Sequence, residues 1–326
     1  MTKPLALTMG EPAGVGMELT AKAWRAREAE CLPPFLVLCD PAQLAETEVP
    51  VQAIDDPARA VDVFESFLPV FPISLPVRPE AGTPDVANVP AVLESIETAV
   101  SFALAGRAGG VVTNPVHKDI LKKGGFRHPG HTEFLGALCG IKHDPVMMLA
   151  AQDLRVVPLT VHLALSDVPA AVTQDMILRK AHMVAAALRQ DFGIGAPRLA
   201  VAGLNPHAGE GGAFGREEIE VILPAIERLK AEGLDISGPH PADTMFHDAA
   251  RKTYDAALCM YHDQALIPLK TLDFYGGVNV TLGLPIVRTS PDHGTALNIA
   301  GHGIARPDSL ISAIKTADKM VQSRGI

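Results

Sequence analysis

Between Tyr254 and Lys270 the chain reads Y-D-A-A-L-C-M-Y-H-D-Q-A-L-I-P-L-K. The apolar run Ala256 to Tyr261 stops abruptly at His262 and Asp263, and a run of that length between polar residues reads as a buried strand. A ligand-type side chain just past the C-terminal end of such a strand stands where open α/β sheets build binding crevices. Lys270 follows about two helical turns later. Residues 276–303, G-G-V-N-V-T-L-G-L-P-I-V-R-T-S-P-D-H-G-T-A-L-N-I-A-G-H-G, alternate like a hairpin around Gly283. They carry Asn279, Arg288, Asp292 and His293 among many glycines. The stretch thus offers a metal ligand, two cations for an anionic substrate and a Gly-rich loop. The plainer alternative is a strand, a hairpin and a loop with incidental polar residues.

The same pattern recurs upstream. Val146 to Ala151 and Arg155 to Val161 flank a polar Gln152-Asp153 turn and read as a hairpin whose second arm lands on His162. Arg198 to Gly203 is a strand leading into N-P-H-A-G-E-G-G-A-F-G-R-E-E, so His207 also stands just past a strand. Glu217 and Glu218 then open a helix over about 219–230. Acids in a first turn suit the helix dipole, and anion binding there is plausible. Gly110 to Thr113 is a strand ended by T-N-P-V-H-K, and Pro4 to Met9 one followed by G-E-P-A-G-V-G and a helix to about Arg27. The glycines of that turn do not match G-x-G-x-x-G, so no Rossmann site is assigned. Phe35 to Cys39 is a further strand, 41–90 reads as short elements and surface loops, and 90–106, 173–190 and 309–321 read as helices. In G-H-T-E-F-L, Thr132 is placed either to cap a short helix or, with His131, to touch substrate.

Length and composition agree with α/β. The 326 residues suffice for two domains or one large one, aromatics are few, and apolar runs alternate with helical ones. A net charge of −9 without a Lys/Arg run argues against a nucleic-acid partner. The N-terminus lacks the features of a secretory signal, no run approaches the ~18–20 apolar residues of a membrane span, and Cys31, Cys39, Cys139 and Cys259 show no C-x-x-C spacing. The expectation is a cytoplasmic protein with reduced, buried and inert cysteines. No repeat or linker marks a domain boundary, and a discontinuous division is as compatible as a sequential one.

His162, His207 and His262 share one topological position, each ending a strand, and would reach one rim of a sheet. Three nitrogen ligands with open coordination positions make a catalytic divalent-metal site, able to polarise a substrate oxygen. Nucleophilic Ser or Cys catalysis has no support, because there is no G-x-S-x-G and the cysteines sit in apolar runs.

T-M-G-E-P-A-G-V-G, G-H-T-E-F-L, L-N-P-H-A-G-E-G-G, P-A-D-T-M-F, M-Y-H-D-Q-A-L-I-P-L-K and S-P-D-H-G-T-A together carry a resemblance. In this order, over nearly the whole chain, they resemble the 4-hydroxythreonine-4-phosphate dehydrogenases of pyridoxal 5′-phosphate biosynthesis. The resemblance implies a two-domain α/β fold similar to isocitrate and isopropylmalate dehydrogenases, with a mixed central sheet in each domain. The expected division is 1–130 with 255–326, and 131–254, which separates His262 from His162 and His207. It also implies a homodimer with shared active sites, NAD or NADP as cofactor, and one divalent ion (Zn, Mg or Co) on His162, His207 and His262. His131, Thr132, Lys270, Asn279 and Arg288 would contact the phosphorylated substrate, and Asp292, His293, Gly294 and Asn298 the cofactor. Leu297-Asn298-Ile299-Ala300-Gly301 departs from the expected Phe-Asp-Ile-Ala-Gly, which bears on cofactor contact. Lys270, Asp243 and Asp263 are the candidate general bases. The expected reaction oxidises 4-phosphohydroxy-L-threonine to a β-keto acid that decarboxylates. The alternatives are the same chemistry on 4-phosphothreonate or 4-phosphoerythronate, a metal-dependent hydrolase or isomerase without NAD, and, farther off, a non-enzymatic binding protein for small anions.

Overall fold

The computed structural model describes residues 3–326, the Glu46 side chain excepted. In chain order the elements begin with β1 (Leu5–Thr8), α1 (Gly16–Arg25), β2 (Phe35–Cys39), β3 (Val51–Ala53), α2 (Ala60–Val63), β4 (Leu68–Pro72), α3 (Val89–Leu104), β5 (Gly110–Thr113), α4 (Lys118–Lys123) and α5 (His131–Leu138). There follow β6 (Val146–Ala151), β7 (Leu154–Pro158), α6 (Val168–Ala171), α7 (Gln174–Phe192), β8 (Arg198–Ala202), α8 (Leu223–Ala231), β9 (Asp235–His240), α9 (Asp248–Arg251), β10 (Ala256–Cys259), α10 (His262–Leu272) and β11 (Val278–Leu282). The chain ends with β12 (Val287–Pro291) and α11 (Asp308–Arg324). Among the described residues no helix is long and apolar enough to cross a membrane.

Two compact units result, Met1–Pro145 with Leu284–Ile326 and Val146–Gly283. These boundaries differ from the expected 130/131 and 254/255. The reason is strand pairing: β10 hydrogen-bonds between β7 and β8, so residues 255–283 stay with the second unit and His262 stays with His162 and His207.

In unit 1 the strand order is β3-β4-β2-β1-β5-β12, paired parallel. Its strands are continuous apolar runs such as F-L-V-L-C, buried throughout, as a parallel sheet covered on both faces requires. β3 and β4 lie in the segment read as short elements and loops. Pro69 and Pro72 of β4 hid a strand that nonetheless pairs Val70 with Val37. Ser95 fastens α3 to this sheet, its hydroxyl donating to Leu38 O at 2.8 Å and accepting from Met9 N at 3.0 Å.

Unit 2 has the order β11-β6-β7-β10-β8-β9. β11 with β6 and β6 with β7 are antiparallel, the remainder parallel. Among the described strand pairs, then, the mixing expected of each domain lies in unit 2. β11 pairs with β6 and β12 with β5, and the boundary between the units falls at Gly283. Leu149, Val156, Ala257, Cys259, Leu269 and Tyr254 pack one core, and the Tyr254 hydroxyl donates to Met245 O at 2.8 Å. Cys39 and Cys259 are buried, and burial pushes their thiols up. Cys31 departs from expectation: it is exposed, with φ +50° in the turn after α1.

β1 hands over to α1 through Gly10, at φ +71°, where an added Cβ would sit 2.7 Å from both Asn114 Cβ and Pro115 O. Left-handed strain and a clash with backbone act together there. Gly10→Ala is expected to lower stability by about 2 kcal/mol or more, read as a lower urea midpoint; an unchanged midpoint would show the turn to be free to adjust.

Candidate active site

β7, β10 and β8 are neighbours and parallel, Leu258 lying opposite Val157 on one side and Val201 on the other. Their C-terminal ends therefore share one edge, and His162, His262 and His207 follow them. The His162 loop is pinned beside β10 by Leu159 N donating to Cys259 O at 2.7 Å and the Thr160 hydroxyl donating to Met260 O at 2.8 Å. His262 opens α10, its Nδ1 is 2.7 Å from Asp263 Oδ1, and its ring centroid lies 6.2 Å from that of His162. His207 stands in a loop of five consecutive left-handed residues, His207 to Gly211, beside the ring of Phe214 at 6.2 Å. Three of the five are not glycine, a strain of the kind that functional loops retain. Among the described residues of the single chain, no three or more His, Cys, Asp or Glu side chains gather as a metal site.

That strained loop is held by a residue read only as a helix-dipole acid. Glu218 is buried, and its Oε1 accepts from Leu204 N at 2.8 Å and Asn205 N at 2.7 Å. Asn205 Nδ2 donates to Glu218 Oε2 at 2.9 Å and to Glu217 Oε2 at 2.8 Å. The protein's own carboxylates thus take the place expected for a bound anion, and a π turn over Glu218–Ile222 separates them from α8. Gln264 was not singled out in the sequence either. It accepts from Met260 N at 2.6 Å and donates to Gly203 O at 2.7 Å, tying the β8 and β10 ends together. A polar residue on the inward side of α10 was the only signal for it.

The other expected residues of unit 2 lie on separate elements. Lys270 is half-buried on α10, its Nζ 5.4 Å from the Phe274 ring centroid. Asp243 is exposed in a one-turn helix, Ala242–Thr244. Asn279 lies on β11 opposite Leu149, and its Oδ1 is buried with no hydrogen-bond partner.

Unit 1 gathers the rest. Arg288, 4% exposed on β12, donates to Thr113 Oγ1 at 2.6 Å, and burial brings its pKa down to about 10, so it remains a cation at neutral pH. His131 opens α5, and its Nε2 is buried without a partner. Thr132 does not cap this helix; Gly130 holds that position, and Thr132 is already inside the first turn. Asp292, His293, Gly294 and Asn298 lie on the loop after β12. The loop rests on the β1–α1 turn, with Val15 N donating to Thr295 O at 3.1 Å. A Cβ on Gly14 would lie 2.8 Å from that oxygen. Beside it opens a cavity of about 810 Å³ whose lining includes Gly14, Lys22, Arg25, Arg78, Gly301 and Gly303.

The two-unit fold is shared with a β-decarboxylating dehydrogenase from Thermococcus kodakarensis, at a TM-score of 0.50 and 16% identity over 100% of this chain and 84% of that one. That likeness is one of fold: two α/β units. More narrowly, a family model described as pyridoxal phosphate biosynthetic protein PdxA matches residues 32–317, and the chain belongs to that family. It is 54% identical to a 4-hydroxythreonine-4-phosphate dehydrogenase of Caulobacter vibrioides, covering 100% of this chain and 99% of that one. It is 52% identical to one of Methylorubrum populi, covering 98% and 95%. A crystal structure of the enzyme so named from Klebsiella pneumoniae superposes with a TM-score of 0.88 at 36% identity, covering 98% and 100%.

Two outcomes test this geometry. Glu218→Ala leaves two backbone N–H groups and an amide without their acceptor, a loss of about 2–4 kcal/mol. It should also open 204–216 to limited proteolysis, and resistance equal to wild type would contradict the role. For His131, burial first, then the charges of Arg288 and Lys118, hold the pKa well below the usual value. The folded protein therefore binds fewer protons than the unfolded chain. The folded state is favoured in full above about pH 6.5, and this advantage is lost progressively as pH falls from there through the lower folded-state pKa. His131→Gln should flatten the urea midpoint against pH below about pH 6.5; an unchanged curve would mean that His131 titrates normally.

Proposed function

We propose that this chain oxidises the secondary alcohol of 4-phosphohydroxy-L-threonine with NAD, or NADP, and a divalent metal ion. The product, 2-amino-3-oxo-4-phosphohydroxybutanoate, is a β-keto acid that loses CO₂ to give 3-amino-2-oxopropyl phosphate. The observation carrying this reading is the placement of His162, His262 and His207 after three adjacent parallel strands, in a chain 54% identical to a relative named for that activity. The donor set fits a borderline divalent ion such as zinc or cobalt, with magnesium the harder alternative. Asp263, on the Nδ1 of His262, orients that ring and would leave Nε2 to hold the ion, as carboxylates commonly do beside metal-binding histidines. When bound, the ion acts as a Lewis acid toward the substrate oxygens and the nicotinamide serves as hydride acceptor.

Arg288 and Lys270 neutralise substrate phosphate or carboxylate, Arg288 through a guanidinium that Thr113 holds in place. His131, Thr132 and Asn279 add hydrogen bonds, and the partnerless Asn279 Oδ1 is an acceptor for a substrate N–H or O–H. We assign Asp263 to orienting His262, and the hydroxyl proton to Asp243 or Lys270. Asp292, His293, Gly294 and Asn298 hold the dinucleotide along the cavity floored by Gly14, where any side chain would intrude on the Thr295 carbonyl. Asn298 in place of an acid keeps hydrogen bonding without charge, which suits NAD and tolerates NADP.

We further propose a homodimer with shared sites. Support comes from large apolar side chains left exposed beside each histidine: Leu165 at 67% after His162, Phe214 at 53% against His207, and Ile267 at 64% on the helix that His262 opens. Clustered exposure of this kind marks an interaction surface, and two-fold dimers are the commonest closed assembly.

Purified protein with NAD, added metal and 4-phosphohydroxy-L-threonine should produce reduced NAD. Turnover of only 4-phosphothreonate or 4-phosphoerythronate would transfer the reading to the paralogous reaction. Each of His162→Ala, His207→Ala and His262→Ala should lose bound metal and turnover while staying folded. Mixing inactive His207→Ala and His262→Ala proteins under subunit exchange should restore about a quarter of full activity, because roughly half the dimers are mixed and each has one intact site. No recovery after verified exchange would refute sharing.

A further inference from the structure

The loop that follows β12 is tied to α1 at two points. Val15 N, just before the helix, donates to Thr295 O at 3.1 Å. Lys22, farther along α1, reaches residues 281 and 283 positions downstream, its Nζ donating to Gly303 O at 2.8 Å and to Ala305 O at 2.6 Å. The same Nζ donates to Glu18 Oε1 at 2.7 Å. An ammonium group has three N–H donors, and these three acceptors use them all. Glu18 Oε1 also accepts from Ala305 N at 3.0 Å. One half-buried i, i+4 pair thus holds both backbone groups of the buried Ala305 and the carbonyl of Gly303.

Between the two anchors the segment has a single short turn, Leu297–Ile299, and its Asn298, His302 and Ile304 side chains are exposed. Gly301 and Gly303 take left-handed φ values of +76° and +70°. A segment with so little secondary structure draws its shape from its anchors. The anchoring helix is itself fixed. The buried Thr20 hydroxyl donates to Gly16 O at 2.9 Å and accepts from Asn114 Nδ2 at 3.1 Å, and Trp24 Nε1 donates to Phe64 O at 3.0 Å. These bonds join α1 to the chain just after β5 and just after α2. Lys22, Glu18, Gly301 and Gly303 all line the cavity of about 810 Å³. With its donors committed to the protein, Lys22 shapes that wall rather than offering a free cation to a ligand.

We propose that Lys22 is a positioning residue for the dinucleotide: with Glu18 it presets residues 301–305, so that the loop carrying Asn298 is ordered before the cofactor binds. The assignment rests on the reading above that the cofactor lies along this loop. A loop that orders only on binding lowers the apparent affinity in proportion to the fraction of molecules already competent. A loop held in advance by a rigid helix avoids that loss.

Lys22→Met keeps the length of the side chain and removes its donors. NAD and NADP are titrated by calorimetry into the full-length wild type, Lys22→Met, Lys22→Arg, Glu18→Gln and a control, the exposed Lys319→Ala on α11. Hydrogen exchange is followed over 299–306 in the same proteins. In Lys22→Met, exchange at the Ala305 amide should speed up and NAD affinity should fall by about tenfold or more. KM for NAD should rise in step, while kcat and KM for the phosphorylated substrate stay within about twofold. Lys22→Arg should recover most of the affinity, Glu18→Gln should fall between, and Lys319→Ala should match wild type. Should Lys22→Met not fold, the same comparison is made on Glu18→Gln. A lower urea midpoint with wild-type NAD affinity would show a merely structural clamp and overturn the proposal, as would equal rises in both KM values. If wild type binds neither NAD nor NADP, the cofactor reading falls and takes this assignment with it. Binding by wild type that Lys22→Met equals removes the role of Lys22 alone.

Discussion

One carboxylate organises the loop on which the second histidine of unit 2 stands. Glu218 accepts the N–H groups of Leu204 and Asn205 at the end of β8, where the sheet no longer supplies acceptors. Buried backbone donors left unmet would cost about 1–3 kcal/mol each. The left-handed run from His207 to Gly211 carries strain of about 1–2 kcal/mol for each residue that is not glycine. The loop holds this conformation because Glu218 and Asn205 satisfy its base. Gln264 extends the same network to the start of α10, so two histidine-bearing segments are set by one set of hydrogen bonds.

The two units hold different groups. In unit 2 the histidines follow neighbouring parallel strands, with the buried carboxylate of Glu218, the exposed one of Asp263 and the Phe214 ring beside them. In unit 1 the notable groups are cations: Arg288, buried and anchored on Thr113, and the exposed lysines of α4. A buried guanidinium is tolerable only when its donors find acceptors, and Thr113 meets part of that need from the adjacent strand.

Much of the fold could be read from local pattern. Apolar runs of four to six residues ended by polar groups gave β1, β2, β5, β8 and β10, and amphipathic periodicity gave α3, α7 and α11, each within a few residues. The β6–β7 turn at Gln152 was equally plain. Where the pattern misled, the causes are specific. Prolines in β4 removed the usual strand signature although its neighbours still supply hydrogen bonds. Thr132 looked like a cap, yet Gly130 takes the extended conformation that begins the helix.

The sequence by itself determined the elements, the residues at their ends and the family, because these depend on side-chain periodicity and on motifs contiguous in the chain. Tertiary structure alone decided which strands are neighbours. By inserting β10 between β7 and β8 it moved the domain boundary and put all three histidines in one unit. It also turned Glu218 from a surface acid into a buried anchor, and it brought the charges of Arg288 and Lys118 to bear on His131. Such pairings join residues tens to hundreds of positions apart. Hydrogen-bond satisfaction and desolvation, which act only once the chain has closed on itself, select them.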